Sequence, residues 1–319
     1  MRLPLRRSPG PGHPCRRLLP ALLVAVVTVG ATAPPALSAT IAGCPLLPRS
    51  SPWNQRVDRA PVANNSAPLI ASIGLTSHFH ADFGSGTWDS GPIGIPYTVV
   101  GGRQPKVKVT FGYASESDRG PYPIPPGAKV EGGPGADGDR HVLVVDKSTC
   151  TDYELYDAHP LVGGRAWHAS SGATYDLTSN VLRPRGWTSA DAAGLPILPG
   201  LARYDEVAVG AIDHALRFTA PRTRAAFIRP ARHFASDSHD PKLPPMGLRV
   251  RLKRSVSLRG LPPQARVIAV AMKRYGLLLA DNGSPWNVSG APDPRWDNTQ
   301  LQALDRLTGR DFEVVKGPR

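Results

Sequence analysis

The stretch Asp139–Ala158 holds two strand-like runs separated by a short polar turn, and no other part of the chain constrains the fold as strongly. If the four residues after Asp146 form the loop, Asp146 pairs with Thr151 and Leu143 lies opposite Glu154. Side chains alternate along a strand, so one side of this hairpin is apolar enough to pack on a core. That side holds Val142, Val144, Tyr153 and Leu155. The stretch therefore predicts a central β-hairpin.

The opposite side of the hairpin carries a histidine and a carboxylate in the middle of the strands. In the same register His141 lies opposite Tyr156 and is a diagonal neighbour of Glu154. Ionisable groups held within a fold cluster at functional sites. We expect His141 and Glu154 to line a depression, and the alternative is an exposed sheet face with a polar pair.

The chain begins with the pattern of an export signal. Basic residues precede the apolar run Leu18–Ala33, which is too short and too polar at its end to span a membrane. The basic residues are Arg2, Arg6, Arg7, Arg16 and Arg17. We interpret residues 1–40 as a signal peptide and residues 44–319 as a single mature β-rich domain. The protein is therefore expected to be secreted or extracytoplasmic, in the cell envelope.

Cysteine usage agrees with export. Cys15 lies in the signal, so Cys44 and Cys150 remain as one pair in an oxidising compartment, where a disulfide is expected. The alternative is that Ile41–Cys44 is a lipobox and that Cys44 is lipidated.

The formal charge of +13 falls to +8 once the five signal arginines are removed, because no charged residue other than these precedes Cys44. A basic stretch near the C-terminal end could bind a polysaccharide or cell-wall polymer of anionic character. Its members are Arg249, Arg251, Lys253, Arg254 and Arg259. The alternative is a solvated face of a half-buried strand. No motif with interleaved aromatics predicts a nucleic-acid partner.

Three further segments supply candidate site residues. In the run HFHADFGSG, alternation points His78, His80 and Asp82 to one side, where we expect them to contact substrate; a divalent metal is the alternative use. The glycine-rich loop before the hairpin carries Glu131 and Asp139. Trp167, in a later strand-like run, is the candidate for stacking on a ligand. No metal is assigned.

Recognised catalytic and cofactor signatures do not occur in the context that they require. The chain has no phosphate-loop lysine, and its G-x-G-x-x-G spacing at Gly133–Gly138 leads into a strand-like run and not a helix, so no cofactor is expected. It also has no G-x-S-x-G elbow and no H-E-x-x-H helix. Strand periodicity recurs through most of the chain and short turns join the runs. The expected fold is α+β, mainly antiparallel and sandwich-like, with about three peripheral helices.

Several runs of the mature chain resemble a family of exported bacterial proteins to which no reaction is assigned. They are GDRHVLVVD, WTSADAAGLPILPGLARYDEVAVGAIDHALRFT, ARHFAS, PPMGLRVRLK and ADNGSPWNVSGAPDPRWD. The resemblance covers nearly the whole mature chain and implies a complete member of that family. It implies no activity.

Carboxylates, histidines and tryptophans on an exported β-rich scaffold favour a carbohydrate-active protein, in particular a glycoside hydrolase. Hydrolysis requires two carboxyl groups that flank the scissile bond. We expect Glu154 to act with Glu131 or Asp139, and His141 to tune the pair. The alternative is a non-catalytic glycan- or wall-binding β-sandwich. An enzyme places two carboxyl groups about 5 to 9.5 Å apart in a cleft, whereas a binding module presents a shallow aromatic platform.

Overall fold

The computed structural model describes Pro4, Gly10, residues 39–88 and residues 91–317. The basic and apolar segments of the predicted signal peptide lie outside these residues, and that assignment stays a prediction. Searched over the described residues, the chain contains no helix with the length and apolar character needed to cross a membrane. From Ala39 onward the described residues belong to one compact unit, Leu37–Arg319.

The described strands, in chain order, are β1 Thr40–Ile41, β2 Cys44–Pro45, β3 His80–Asp82, β4 Thr87–Trp88, β5 Gly91–Pro92, β6 Tyr97–Val100, β7 Lys108–Phe111, β8 Val142–Asp146, β9 Thr151–Tyr156, β10 His159–Leu161, β11 Ala166–Ala169, β12 Ser171–Asp176, β13 Leu216–Ala220, β14 Arg249–Leu252, β15 Leu277–Asn282, β16 Asn287–Ser289 and β17 Phe312–Val314. The described helices are α1 Ser66–Gly74, α2 Tyr204–Ala208, α3 Pro263–Arg274 and α4 Asn298–Gln302. Short 3₁₀ turns occupy Pro52–Asn54, Ala114–Glu116, Val162–Gly164, Leu198–Gly200, Ala303–Arg306 and Gly309–Asp311.

Two larger sheets organise the fold. A six-stranded sheet has the order β17-β14-β15-β13-β16-β3, and a four-stranded sheet has the order β12-β9-β8-β6. A three-stranded sheet, β10-β11-β7, and the pairs β1-β2 and β4-β5 complete the described strands. Most pairings are antiparallel, and the parallel ones are β6 with β8, β7 with β11, β13 with β15, and β3 with β16. The predicted α+β class is confirmed, with four described helices against an expectation of about three.

The central hairpin has the predicted register. In β8 and β9, Leu143 lies opposite Glu154 and Asp146 opposite Thr151. The expected division into a core face and an open face is wrong, because both faces are buried. Val142 packs in one hydrophobic cluster and Leu143 in another. A near-continuous apolar run such as VLVV is typical of a strand covered on both sides.

The six-stranded sheet packs against α3. Pro263 begins this helix, and Ala265, Ile268 and Met272 are buried at helical spacing. Gly276 follows the helix with φ of +71°, and a Cβ there would lie 2.2 Å from the carbonyl oxygen of Val250. Only glycine fits this turn, which delivers the chain directly into β15.

The basic stretch is divided between the interior and the surface, because Arg254 and Arg259 are exposed but the two arginines of β14 are not. Arg249 and Arg251 in β14 are 3% and 5% exposed. Arg249 donates hydrogen bonds to the carbonyl oxygens of Pro52, Gln55 and Tyr275, at 2.8 to 3.0 Å. The guanidinium groups satisfy buried backbone acceptors of the N-terminal segment, so these two side chains are unavailable to an anionic polymer.

The expected disulfide is present. Cys44 and Cys150 are bonded, with their Cα atoms 5.3 Å apart. The bond joins β2 to the turn of the central hairpin. A sulfur atom in a disulfide cannot carry the thioether of a lipid anchor, so the structure gives Cys44 a structural role.

Candidate functional site

Glu154, the preferred catalytic residue from the sequence, lies inside the protein. Its side chain in β9 has no exposed surface. The carboxylate accepts hydrogen bonds from the backbone N–H groups of Ile197 and Leu198 at 2.8 and 2.9 Å. Burial raises the pKa of Glu154, and these bonds oppose the rise. A glycan cannot reach this carboxyl group in the structure as it stands, because residues far along the chain cover the hairpin face.

The buried His141 forms an ion pair with the partly exposed Glu131. Nδ1 lies 2.5 Å from a carboxylate oxygen of Glu131, and Nε2 lies 2.9 Å from the carbonyl oxygen of Ala190. Both ring nitrogens therefore face acceptors, as an imidazolium requires. Although burial opposes the charge, the Glu131 carboxylate raises the pKa of His141 to about 9. Burial likewise opposes ionisation of Glu131, yet the His141 charge lowers the pKa of Glu131 overall.

Two adjoining cavities form a surface depression that we call the tryptophan groove. Their volumes are about 590 and 540 Å³, and both are lined by Trp88, Glu131 and Gly132. Trp88, at the end of β4, is 79% exposed. The further polar lining residues are His80, Asp82, Asn298, Gln302 and Asp305 in the first cavity and Asp139 and Arg140 in the second.

The groove thus collects four of the residues proposed from the sequence. They are His80, Asp82, Glu131 and Asp139. His78 is instead bound through Nδ1 to the carbonyl oxygen of Asp305, at 2.6 Å. Trp167 is 1% exposed and belongs to a hydrophobic cluster, so its ring has no free face for a sugar. Trp88 was missed, although its run GSGTWDSG, a tryptophan among glycines, is typical of an exposed turn.

A third cavity is lined by residues of both larger sheets, Tyr156 and Ser171 from one and Asp281 from the other, and we call it the junction cavity. Its volume is about 400 Å³. Its polar lining residues are Tyr113, Glu116, Asp139, Tyr156, Ser171, Thr188, Ser189, Asp191, His233, Asp281 and Asn282. Asp139 also lines the tryptophan groove, so the two depressions adjoin at this residue.

Two carboxyl groups share one buried arginine at the junction cavity. Arg217 Nε lies 3.2 Å from Asp191, and Arg217 Nη2 lies 4.0 Å from Asp281. Nη1 of the same guanidinium donates to Ser289 at 2.5 Å. Asp191 has no exposed side-chain surface, whereas Asp281 is 25% exposed. Burial, and next the charge of Asp191, raise the pKa of Asp281 to about 7.

Asp281 was not proposed from the sequence. It ends the apolar run of β15 and precedes Asn282, where the pair Asn-Gly indicates only a tight turn. The sequence feature that could have indicated Asp281 as a site residue is a carboxylate at the end of an otherwise apolar strand. The fixed position of Asp281 comes from backbone donors: its oxygens accept hydrogen bonds from the N–H groups of Asn282 and Ala192 at 2.7 and 3.3 Å.

Within the described residues, no group of three or more histidine, cysteine, aspartate or glutamate side chains is placed to hold a metal ion. The geometry therefore offers acid and base groups, hydrogen-bond acceptors and one exposed aromatic ring. Comparison with known protein families, characterised proteins and solved structures finds no match to this chain.

Proposed function

We propose that this protein is exported and acts on a glycan chain, which binds along the tryptophan groove and reaches the junction cavity. The observation that carries the proposal is that Asp139 lines both depressions. A path through three adjoining cavities suits several units of a polymer, whereas one closed cavity of similar volume suits a single small molecule.

The lining of the groove supports a sugar ligand. Hydroxyl groups need hydrogen-bond acceptors, and Asp82, Glu131 and Asp139 supply carboxylate oxygens along the path. Glu131 is held in place by the His141 imidazolium below it, so this acceptor is fixed before a ligand arrives. Trp88 presents an exposed apolar ring, on which the C–H face of a pyranose can pack.

The charge of the groove favours an uncharged or amine-bearing glycan. Its wall carries the acidic residues Asp82, Glu131, Asp139 and Asp305. Arg140, the arginine among its described lining residues, is buried against the backbone carbonyls of Pro134, Ala136 and Ala158. An acidic polysaccharide would meet like charges at short range. The overall basic character of the chain therefore does not extend to this surface.

A second candidate function is a non-catalytic glycan-binding module. The exposed ring of Trp88 favours it, because a flat aromatic surface is sufficient for binding a sugar chain. The two functions predict the same ligand class and differ only in turnover.

The test is a binding and hydrolysis screen of the purified exported protein on neutral, amine-bearing and acidic polysaccharides. We expect binding to a neutral or amine-bearing chain, measured by calorimetry, and release of reducing ends if the protein is an enzyme. Trp88→Ala should weaken binding about tenfold, which corresponds to about 1.4 kcal/mol. Val209→Ala, which also removes an exposed apolar side chain, is the matched control. Absence of binding to every polysaccharide, or equal affinity in Trp88→Ala, would contradict the proposal.

A further inference from the structure

The junction cavity contains a carboxyl group that no earlier step has used. Asp281 faces the cavity from the end of β15, and its immediate charged neighbours are Asp191 and Arg217. Asp139, Glu116 and His233 line the same cavity. His233 lies 3.8 Å from Glu116 and is bound through Nδ1 to the carbonyl oxygen of Ala192.

The shared arginine determines where a proton is held. One guanidinium charge cannot balance two carboxylates, so in a poorly solvated site one of the two carboxyl groups keeps its proton. Asp191 has the closer contact with Arg217, 3.2 Å against 4.0 Å, and is therefore the better site for the negative charge. Asp281 is the partly exposed member of the pair, so a proton held there is accessible from the cavity.

The second carboxyl group is enclosed beside Asp281. The side chain of Asp191 has no exposed surface, and its Oδ1 has no hydrogen-bond partner among the described residues. The charge of an enclosed carboxylate must be balanced from within the protein, and Arg217 is the cation in contact with Asp191. Asp191 therefore draws on the guanidinium charge that Asp281 would otherwise receive.

We infer that Asp281 is the general acid for hydrolysis of a glycosidic bond in the junction cavity, with Asp139 as the base that activates water. This inference rests on the proposed function and names its catalytic residues. Arg217 and Asp191 are positioning residues, because they act through Asp281. The raised pKa of Asp281 agrees with this role, since a general acid must hold its proton near the working pH.

The reaction balances with water as the only co-reactant. Asp281 gives its proton to the glycosidic oxygen as the bond from that oxygen to the anomeric carbon breaks. Asp139 removes a proton from water, and the hydroxide oxygen forms the new bond to the anomeric carbon. The products are a free reducing end and a free hydroxyl group. Asp139 then releases a proton to solvent and Asp281 takes one up, which restores both groups.

The test compares Asp281→Asn with wild type on the polysaccharide that the screen identifies. We expect kcat to fall about 10²- to 10⁴-fold while calorimetric affinity is unchanged. An aryl glycoside whose leaving group needs no protonation should recover most of the lost rate. Asp176→Asn is the matched control, because Asp176 is exposed on β12 and is absent from the described walls of the three cavities.

A second variant keeps the test decisive if Asp281→Asn does not fold, as judged by its thermal melt. Asp139 is exposed, so Asp139→Asn should fold normally and lose turnover. In the wild-type protein, kcat should decline on the alkaline side near pH 7 as Asp281 loses its proton. The assignment is overturned if the wild-type protein turns over and both variants keep a kcat within tenfold of the wild-type value. It is also overturned if the wild-type kcat shows no alkaline decline. Either result leaves the proposed function standing. A protein that binds glycan but cleaves none also overturns the assignment. A protein that binds none overturns the proposed function itself.

Discussion

Replacing Asp152 by asparagine should stabilise the protein at neutral pH. Asp152 and Glu154 alternate in β9, so both side chains lie on one face of the strand, and neither has exposed surface. Glu154 accepts hydrogen bonds from the backbone, whereas no donor of the described chain bonds to either Asp152 oxygen. A hydrogen bond between the two carboxyl groups therefore requires a proton, and Asp152 is the group that holds it.

The pH dependence of this proton sets the size of the effect. Burial, and next the charge of Glu154, raise the pKa of Asp152 well above its ordinary 3.8. As pH rises above 3.8, the unfolded chain releases this proton and the folded chain keeps it. Stability is therefore complete at acidic pH and is lost by about 1.4 kcal/mol for each pH unit until the folded pKa is reached. An asparagine amide donates to Glu154 without titrating, so Asp152→Asn removes this loss.

Urea unfolding followed by tryptophan fluorescence at pH 5, 6 and 7 measures the difference. The advantage of Asp152→Asn over wild type should grow by about 1.4 kcal/mol from pH 5 to pH 6 and continue in the same direction. Asp176→Asn, on the neighbouring strand β12, should show no such trend because Asp176 is exposed. If the two Asp152 curves run parallel across this range, Asp152 is ionised in the folded protein and the reasoning is wrong.

Two further predictions concern stability. Cys150→Ser should lower the free energy of unfolding by about 5 kcal/mol, because the disulfide closes a loop with a sequence separation of 106 residues. Chemical denaturation measures this free energy, and a loss below about 1 kcal/mol would contradict the prediction. Trp167→Ala should lower the same free energy by about 3 to 5 kcal/mol, since the Trp167 ring is buried. Trp88 is exposed, so Trp88→Ala should change the free energy of unfolding by no more than about 0.5 kcal/mol. Equal losses in the two variants would show that the burial of the two rings is misassigned.

The sequence was sufficient to predict those strands and helices in which apolar residues recur at a regular spacing. The register of β8 and β9 follows from alternation around a polar turn, and α1 and α3 follow from helical spacing. Helical spacing of apolar residues continues from Tyr204 to Leu216, yet α2 ends at Ala208 and Gly210 takes a φ of +83°. An alanine-rich pattern does not reveal where tertiary contacts end a helix.

The burial of a strand face by residues distant in the chain was not predictable from the sequence. The face of the hairpin that holds Glu154 is closed by Leu177, Ala190 and Ile197, which lie 23 or more positions away in the chain. The burial of Arg249 was not predictable for a related reason. Charged residues that alternate in a strand give the same sequence pattern whether their side chains contact water or buried carbonyl groups. The role of the partly exposed Asp281 as a candidate site residue follows only from the structure, which shows its contact with Arg217 and its place in the wall of a cavity.

The strand order of the six-stranded sheet has a consequence for the order in which the chain folds. The edge strand β3 pairs with β16, and Ala63 N–H bonds to the carbonyl oxygen of Val314, so segments from opposite ends of the chain complete one sheet. Pairings this distant form slowly and only after both partners are present. The hairpin around Cys150 needs no residue of the last third for its own pairing. We therefore expect the four-stranded sheet that contains this hairpin to form first, and the six-stranded sheet to assemble only once the segment around Val314 is present.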